Sequence, residues 1–375
     1  MTAYNQNTFR ELIFSKDPDK IDEGMELLKS THPQTIEAIF AEVGWEVMGE
    51  DALYERLGEH AYLTLYLLGV MHDFEVEWVV TLEELVIEGS DLRRLPNIIG
   101  HLKGLTGLYF SENQLTKIPE SIGKLTNLES IDLSYNELAS LPESINSLTN
   151  LTELILSGNL NLVDLSVDKK QLERFQTQVS NMNTLKRLDL SDSQLTRLPE
   201  SIGNLTNLTE LDLSNNQLTT LPDWIGNLTN LTTLGLSSNQ LMTLPEWIMN
   251  LTKLTELSLS ENQLTTIPDW IGNLTNLTYL GLWSNEFTTL PSSIGNLTNL
   301  TTLELSENQL TTLPESIGNL TKLTELDLSG IHLTTLPDWL GNLTNLTFLC
   351  IFDNPIPESE LERIQSLLPN CEIEF

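Results

Sequence analysis

The sequence predicts an α/β solenoid. Short parallel strands stack coil on coil, with a helical N-terminal cap and a helix–strand C-terminal cap. Three observations carry this reading. A unit LxxLxLxxNxLxxLPxxIGNLTN recurs, with first leucines Leu82, Leu105, Leu128, Leu151, Leu185, Leu208, Leu231, Leu254, Leu277, Leu300, Leu323 and Leu346. Ten of the eleven intervals are 23 residues, and one, from Leu151 to Leu185, is 34. Residues 1–81 and 358–375 fall outside the repeat and carry apolar residues at helical spacing. A fixed period of this size marks a stacked array in which no single unit buries its own apolar face.

Residues 1–81 read as helices. Asp17 and Asp19 stand where a helix would start, before Ile21, Met25 and Leu28 on one face. Ile36, Ile39, Phe40 and Val43 repeat the helical spacing, as do Leu53, Leu57, Ala61 and Leu65. The expected role is to cover the first coil, since an open solenoid end would leave leucines in water. A separate partner-binding domain is the alternative.

Residues 82–357 form twelve units. The alternation in LxxLxL fits a short strand with one buried face. The Asn at the ninth position ends the strand, because its short amide bonds backbone in a turn. Ser90, Ser193 and Ile331 replace it in three units. The serines can still bond. Ile331 cannot, so that turn should differ. Proline in the LP step fixes φ where no strand ladder needs its missing N–H.

The 34-residue interval holds VDKKQLERFQTQVSNM, an amphipathic pattern with Leu172, Phe175 and Val179 inward. It predicts an inserted helix at about 168–182 in place of a tight connection, as surface loops accept insertions at low cost. Residues 358–375 predict a helix burying Leu361, Ile364, Leu367 and Leu368, then a strand ending at Phe375.

This unit resembles the leucine-rich repeat family, in its 23-residue class with an internal LP step. It is similar to spirochaete-type bacterial repeats, to Ras-binding scaffold repeats and to the repeat segments of Roco proteins. The resemblance implies a horseshoe with a concave sheet, an asparagine ladder between coils, and protein–protein interaction without catalysis.

Composition narrows the function independently. Lys plus Arg is 19 against 53 Asp plus Glu, a formal net charge of −34. Nucleic acid and anionic membrane need a basic surface, so neither is an expected partner. No apolar run reaches the length of a membrane span. No signal peptide is visible, which places the chain in the cytoplasm as an expectation, with secretion by another route left open.

Catalytic and metal motifs are missing from the sequence. His32, His60, His72, His101 and His332 are scattered, and Cys350 and Cys371 lack zinc spacing. No phosphate-binding glycine loop occurs. The expectation is no cofactor, no metal and no enzyme. The tripeptide NLT appears thirteen times. Repeat geometry accounts for it, with Leu in the core and Asn and Thr facing out.

The informative positions are the third, fifth and seventh of each unit, which face out from the strand. The seventh is a serine column: Ser111, Ser134, Ser157, Ser191, Ser214, Ser237, Ser260, Ser306 and Ser329. Glu88, Trp283 and Phe352 interrupt it. Tyr279 and Trp283 share one strand, separated by Gly281, and Phe348 and Phe352 repeat this pair three coils on. Exposed rigid aromatics suit a binding hot spot. Tyr109, Asp132, Asp189, Glu210, Asp212, Glu256, Glu304 and Asp327 complete the candidate concave surface.

On the convex side Trp224, Trp247 and Trp270 share the position two after the proline with Trp339. They read either as packing between coils or as a second contact surface. Charge is uneven along the chain. Residues 198–375 hold 21 acids and three bases, whereas residues 82–197 hold 16 acids and 11 bases. The expected partner is therefore a protein with a basic and apolar surface on the C-terminal half, drawn in by the field. Glycan or surface-ligand recognition is one alternative, and a scaffold regulating a small GTPase or phosphatase is another. The oligomeric state is left open.

Overall fold

A computed structural model of the protein describes residues 83–90, 92–162 and 182–375. The expected N-terminal helices, Leu82 and the inserted helix other than Met182 lie outside the described residues. The chain divides into two compact units, Met1–Leu154 with Thr177–Thr184 and Ile155–Gln176 with Leu185–Phe375.

In the first unit β1 (Glu84–Val86), β2 (Gly107–Tyr109) and β3 (Ser130–Asp132) pair in parallel, and β4 (Glu153–Ile155) follows at the unit boundary. The second unit carries β5 (Arg187–Asp189), β6 (Glu210–Asp212), β7 (Thr233–Gly235), β8 (Glu256–Ser258), β9 (Tyr279–Gly281), β10 (Thr302–Glu304), β11 (Glu325–Asp327), β12 (Phe348–Cys350) and β13 (Glu372–Glu374). These pair in parallel and in chain order, as an open sheet. Each strand is three residues long, and its central apolar residue is buried, from Leu85 to Leu349.

The register is 23 residues throughout β5 to β12, as in Arg187↔Glu210. Identical leucines therefore stack directly over one another. Leu188, Leu211, Leu234, Leu257, Leu280, Leu303 and Leu326 are at most 1% exposed. Burying one such side chain stabilises by about 1.5–3 kcal/mol, so the column sums to a large apolar core. Phe110 and Phe287 fill leucine positions of the same core and are fully buried.

Opposite the strands lies a run of five-residue 3-10 helices, such as Asp223–Asn227, each preceded by a proline. Pro222 has φ −74, the value its ring imposes. The proline costs no hydrogen bond there, because the amides of a helix's first turn have no internal acceptor.

The asparagine ladder is present and satisfies backbone on two coils at once. Asn239 Nδ2 donates to Leu213 O at 3.0 Å in the preceding coil and to Leu236 O at 3.2 Å in its own. Its Oδ1 accepts from Leu218 N at 2.9 Å. Asn216, Asn262, Asn285 and Asn308 repeat the arrangement. Three described coils lack this asparagine; in the Ser193 and Ile331 coils, where the next residue is also described, the turn responds in the same way. Each coil normally places one residue at positive φ, for example Asn215 at 55°. The Ser193 coil adds Gln194 at 55°, and the Ile331 coil adds His332 at 62°. Ser193 Oγ does bond, to Ser191 O at 2.8 Å, but the turn is still reshaped. The side-chain amide, rather than any polar atom, sets the usual turn.

The NLT tripeptides correct the outward reading of Asn and Thr. Asn230, Asn276, Asn299 and Asn345 each donate to a carbonyl of the preceding coil at 2.7–2.8 Å. The following threonines do likewise, as in Thr278 Oγ1 to Thr255 O at 3.0 Å. Half of the NLT pattern is thus a second set of bonds between coils.

The C-terminal end has the helix α1 (Glu358–Leu367), then β13. Ile364 and Leu368 are buried, whereas Leu367 is 41% exposed, against the expectation that it points in. Arg363 holds the helix to the last coil. It bonds Asp338 at 2.6 Å, Glu360 at 2.7 Å, and the Leu336 carbonyl.

Candidate functional site

The third, fifth and seventh positions do share one sheet face, but much of that face is already engaged within the chain. Five serines of the column, Ser134, Ser157, Ser191, Ser260 and Ser306, are buried. The aspartates beside them act as strand-end braces. Asp189 Oδ1 accepts from Ser191 N at 2.9 Å and Ser191 Oγ at 2.7 Å. Asp132 and Asp327 bind Ser134 and Ser329 in the same way, and Asp212 accepts from Ser214 N at 2.9 Å. A short acceptor side chain bonding backbone two residues on is a local turn device. Asp189 is only 9% exposed, and burial raises its carboxyl above the usual range against the Ser191 bonds. Asp189, expected in the contact surface, is thus a buried brace, whereas Asp132, Asp212 and Asp327 are half-buried and each braces its own strand end.

Elsewhere the charge stays available. Glu256 and Glu325 are exposed. Glu210 is half-buried at 3.6 Å from Arg187. Residues 198–375 have three bases, and none of them pairs with Glu256 or Glu325. Lys253 and Lys322 bond Asn230 and Asn299 at 2.7 Å, and Arg363 is held in the cap.

The aromatic coil has its own geometry. Tyr279 does not stand beside Trp283 as a free pair. Its hydroxyl donates to Glu304 Oε2 at 2.7 Å across the coil boundary, and its ring lies back over Gly281. A β-carbon on Gly281 would sit 2.6 Å from the Tyr279 hydroxyl and 3.0 Å from Ser260 Oγ. The missing side chain thus makes room for the ring. Burial, then the Glu304 bond and charge, push the Tyr279 phenol far above its ordinary range, so it remains a donor. Trp283 is half-buried. Ser260, in the adjacent coil of the same column, is 1% exposed, and its Oγ has no hydrogen-bond partner.

Two further aromatic groups differ from this one. Tyr109 folds back over Gly107 in the first unit, so it too is braced. Phe348 is half-buried in β12 beside β13, whereas Phe352 is 62% exposed. Sequence spacing could not separate these two phenylalanines, because the pairing of β13 decides which is covered.

The tryptophans of the other face pack on the preceding coil. Trp224 lies over Gly203 and Trp247 over Gly226, their β-carbons 3.0 and 2.9 Å from where a glycine β-carbon would be. Trp270 follows a coil in which Met249 replaces that glycine. Trp224, Trp247 and Trp270 are half-buried, and Nε1 of the first two is buried without a hydrogen-bond partner. A large aromatic over a bare backbone buries much apolar area, which favours the packing role.

Sequence reasoning missed the burial of Ser260 and the part played by Gly281. Glycine at the fifth position of a strand was the available signal, since it weakens a strand unless something else fills the space. Among the described residues no group of three or more His, Cys, Asp or Glu could hold a metal ion. No described helix is long and apolar enough to cross a membrane.

These features coincide with known proteins. A profile described as a leucine-rich repeat region matches residues 158–269 and 264–367, and a second, described as a leucine rich repeat, matches residues 80–138 and 119–160. No curated protein matches the chain. Among solved structures, a leucine-rich repeat protein of Leptospira interrogans is 37% identical, with TM-score 0.59, covering 76% of this chain and 82% of that one. An internalin, InlF, of Listeria monocytogenes is 26% identical, with TM-score 0.51, covering 76% and 92%. Toll of Drosophila, in a complex with Spatzle, is 26% identical, with TM-score 0.58, covering 72% and 39%. The motif, the parallel stacked strands and the profile matches together make this chain a member of the leucine-rich repeat family.

Proposed function

We propose that the protein binds a protein partner through the sheet face of its second unit, at the coil of Tyr279 and Trp283. Members of this family are typical protein-interaction modules, and Toll is itself seen in a complex. The observation that carries the choice of face is the unbalanced charge around an aromatic. Trp283 interrupts the serine column, Glu256 is exposed on the strand before it, and no base of the second half sits among them. An indole flanked by carboxylates suits a partner offering an apolar group next to Lys or Arg. The ring supplies affinity and cation–π contact, and the acids speed encounter.

The test is titration of a captured partner against two variants. Trp283→Ser restores the serine column and should weaken binding by about 2 kcal/mol with an unchanged melting curve. Glu256→Lys alters an exposed residue that braces no strand, so it should slow association and flatten the salt dependence. Unchanged affinity in a folded Trp283→Ser protein would overturn the assignment of this coil.

A further inference from the structure

The first unit contains a cavity of ≈ 380 Å³ on the side away from the sheet, crossing three coils at the LP step. Its lining includes Arg94 and Lys117, one coil apart at the same repeat position, with Asn97, Glu120 and Ser140. The rest of the repeat serves as an internal reference. The position of Arg94 and Lys117 is Ser140 in the next coil, arginine once more at Arg197, and threonine in six consecutive later coils, from Thr220 to Thr335; only Arg94 and Lys117 put two bases on neighbouring coils. The position of Asn97 is acidic in eight of the ten described 3-10 helices, among them Glu143, Glu200 and Asp223. Two departures from the repeat, at different positions, thus make the same local change, towards positive charge. Neither is needed for stacking, since the other coils fold without it.

Stacked coils place equivalent side chains about 5 Å apart, close enough for two cations to repel. Among the described lining residues the one carboxylate is Glu120, and it is turned to the next coil. It accepts from Glu143 N at 3.2 Å and Ser144 N at 3.0 Å. Burial opposes its charge, and the Ser144 and Glu143 bonds prevail, holding it below the usual range. Lys117 is exposed and makes no ion pair or hydrogen bond among the described residues. A chain of net charge −34 gains nothing in general anion attraction, so a cationic cavity in it is a local device.

We propose that this cavity binds a phosphate-class oxyanion between Arg94 and Lys117. Arg94 is suited to a two-point contact with two oxygens, Lys117 adds a point charge, and the Asn97 amide and Ser140 hydroxyl can each donate. The volume exceeds what a bare oxyanion fills, which leaves space for the group that carries it. Free phosphate metabolites and phosphorylated side chains share this chemistry.

The experiment uses the full chain. Inorganic phosphate, O-phosphoserine and a short phosphoserine peptide are titrated calorimetrically, with sodium chloride at matched ionic strength as reference. Saturable binding of at least one probe is expected. In the Arg94→Gln/Lys117→Gln double variant it should weaken about tenfold or more, since each charged contact removed carries that order of effect. Lys253→Gln/Lys322→Gln, an equal charge change in the second unit, should leave it within about twofold. Lys117→Gln alone, at an exposed residue, keeps the test valid if the double variant melts early. Preference for the peptide assigns a phosphorylated partner, and preference for the small probes assigns a metabolite. No saturable binding beyond chloride, or unaltered binding in both folded variants, overturns the proposal.

Discussion

The coils of Asp212 and Tyr279 have the same backbone, register and ladder, yet they complete their outer faces differently. In the first, Asp212 accepts from Ser214, and its carboxylate lies over Gly235 of the next strand. Polar groups and the empty space of the glycine are both satisfied locally. In the second, a tyrosine lies over the glycine of its own strand and reaches forward to Glu304, and Ser260 Oγ beside that glycine is buried without a partner. A repeat protein holds its scaffold constant while its outward side chains vary. Departures from the local norm are therefore informative in a way they would not be in an irregular fold.

The largest expected effect tests whether the two coils share a scaffold. Asn239→Ala and Asn285→Ala should each destabilise by about 3 kcal/mol, because each orphans several buried backbone groups. Equal losses in denaturant melts would confine the difference to the outer face, and unequal losses would break the comparison. Next, Gly235→Ala and Gly281→Ala should each cost about 1–3 kcal/mol by overpacking. Only Gly281→Ala should also displace Tyr279 from Glu304, so its phenol absorbance should titrate at lower pH than in the parent protein. The smallest effect separates satisfied from unsatisfied hydroxyls. Ser191→Ala loses its bond to Asp189 and should cost about 1 kcal/mol, whereas Ser260→Ala should be neutral or slightly stabilising. A comparable loss at both would mean that Ser260 has a partner.

Much of this architecture was legible from periodicity alone. A 23-residue spacing of leucines allows only in-register stacking; the ninth-position asparagine by itself points to a turn, and the ladder followed from the family resemblance. The roles of single polar residues were not legible. Asp189 and Glu256 are both acids on outward strand positions, yet one is a buried brace and the other an exposed charge. The difference is one place in register, fifth against third, and the serine that follows. Trp283 stood out as a break in a column. Nothing in the spacing showed that Tyr279 would lie flat, because that depends on Glu304 in a different coil. The NLT residues were misread for a related reason. Hydrophilic repeats look like surface, but Asn230 and Thr278 point along the stack, where a neighbouring carbonyl waits.

The ladders have a consequence for how such a gene can change length. Each Asn and Thr bond reaches one coil back, to a partner supplied by the equivalent residue or its neighbour. Removing or duplicating a whole 23-residue block therefore leaves every donor opposite an acceptor, because the new neighbour presents the same carbonyls. Removing any other number of residues in the stacked region leaves a row of donors facing the wrong atoms. Copying errors that shift by one block should be tolerated, and one falling between Glu210 and Trp283 in the second unit would move those two residues nearer together or further apart along the stack, in steps of about 5 Å.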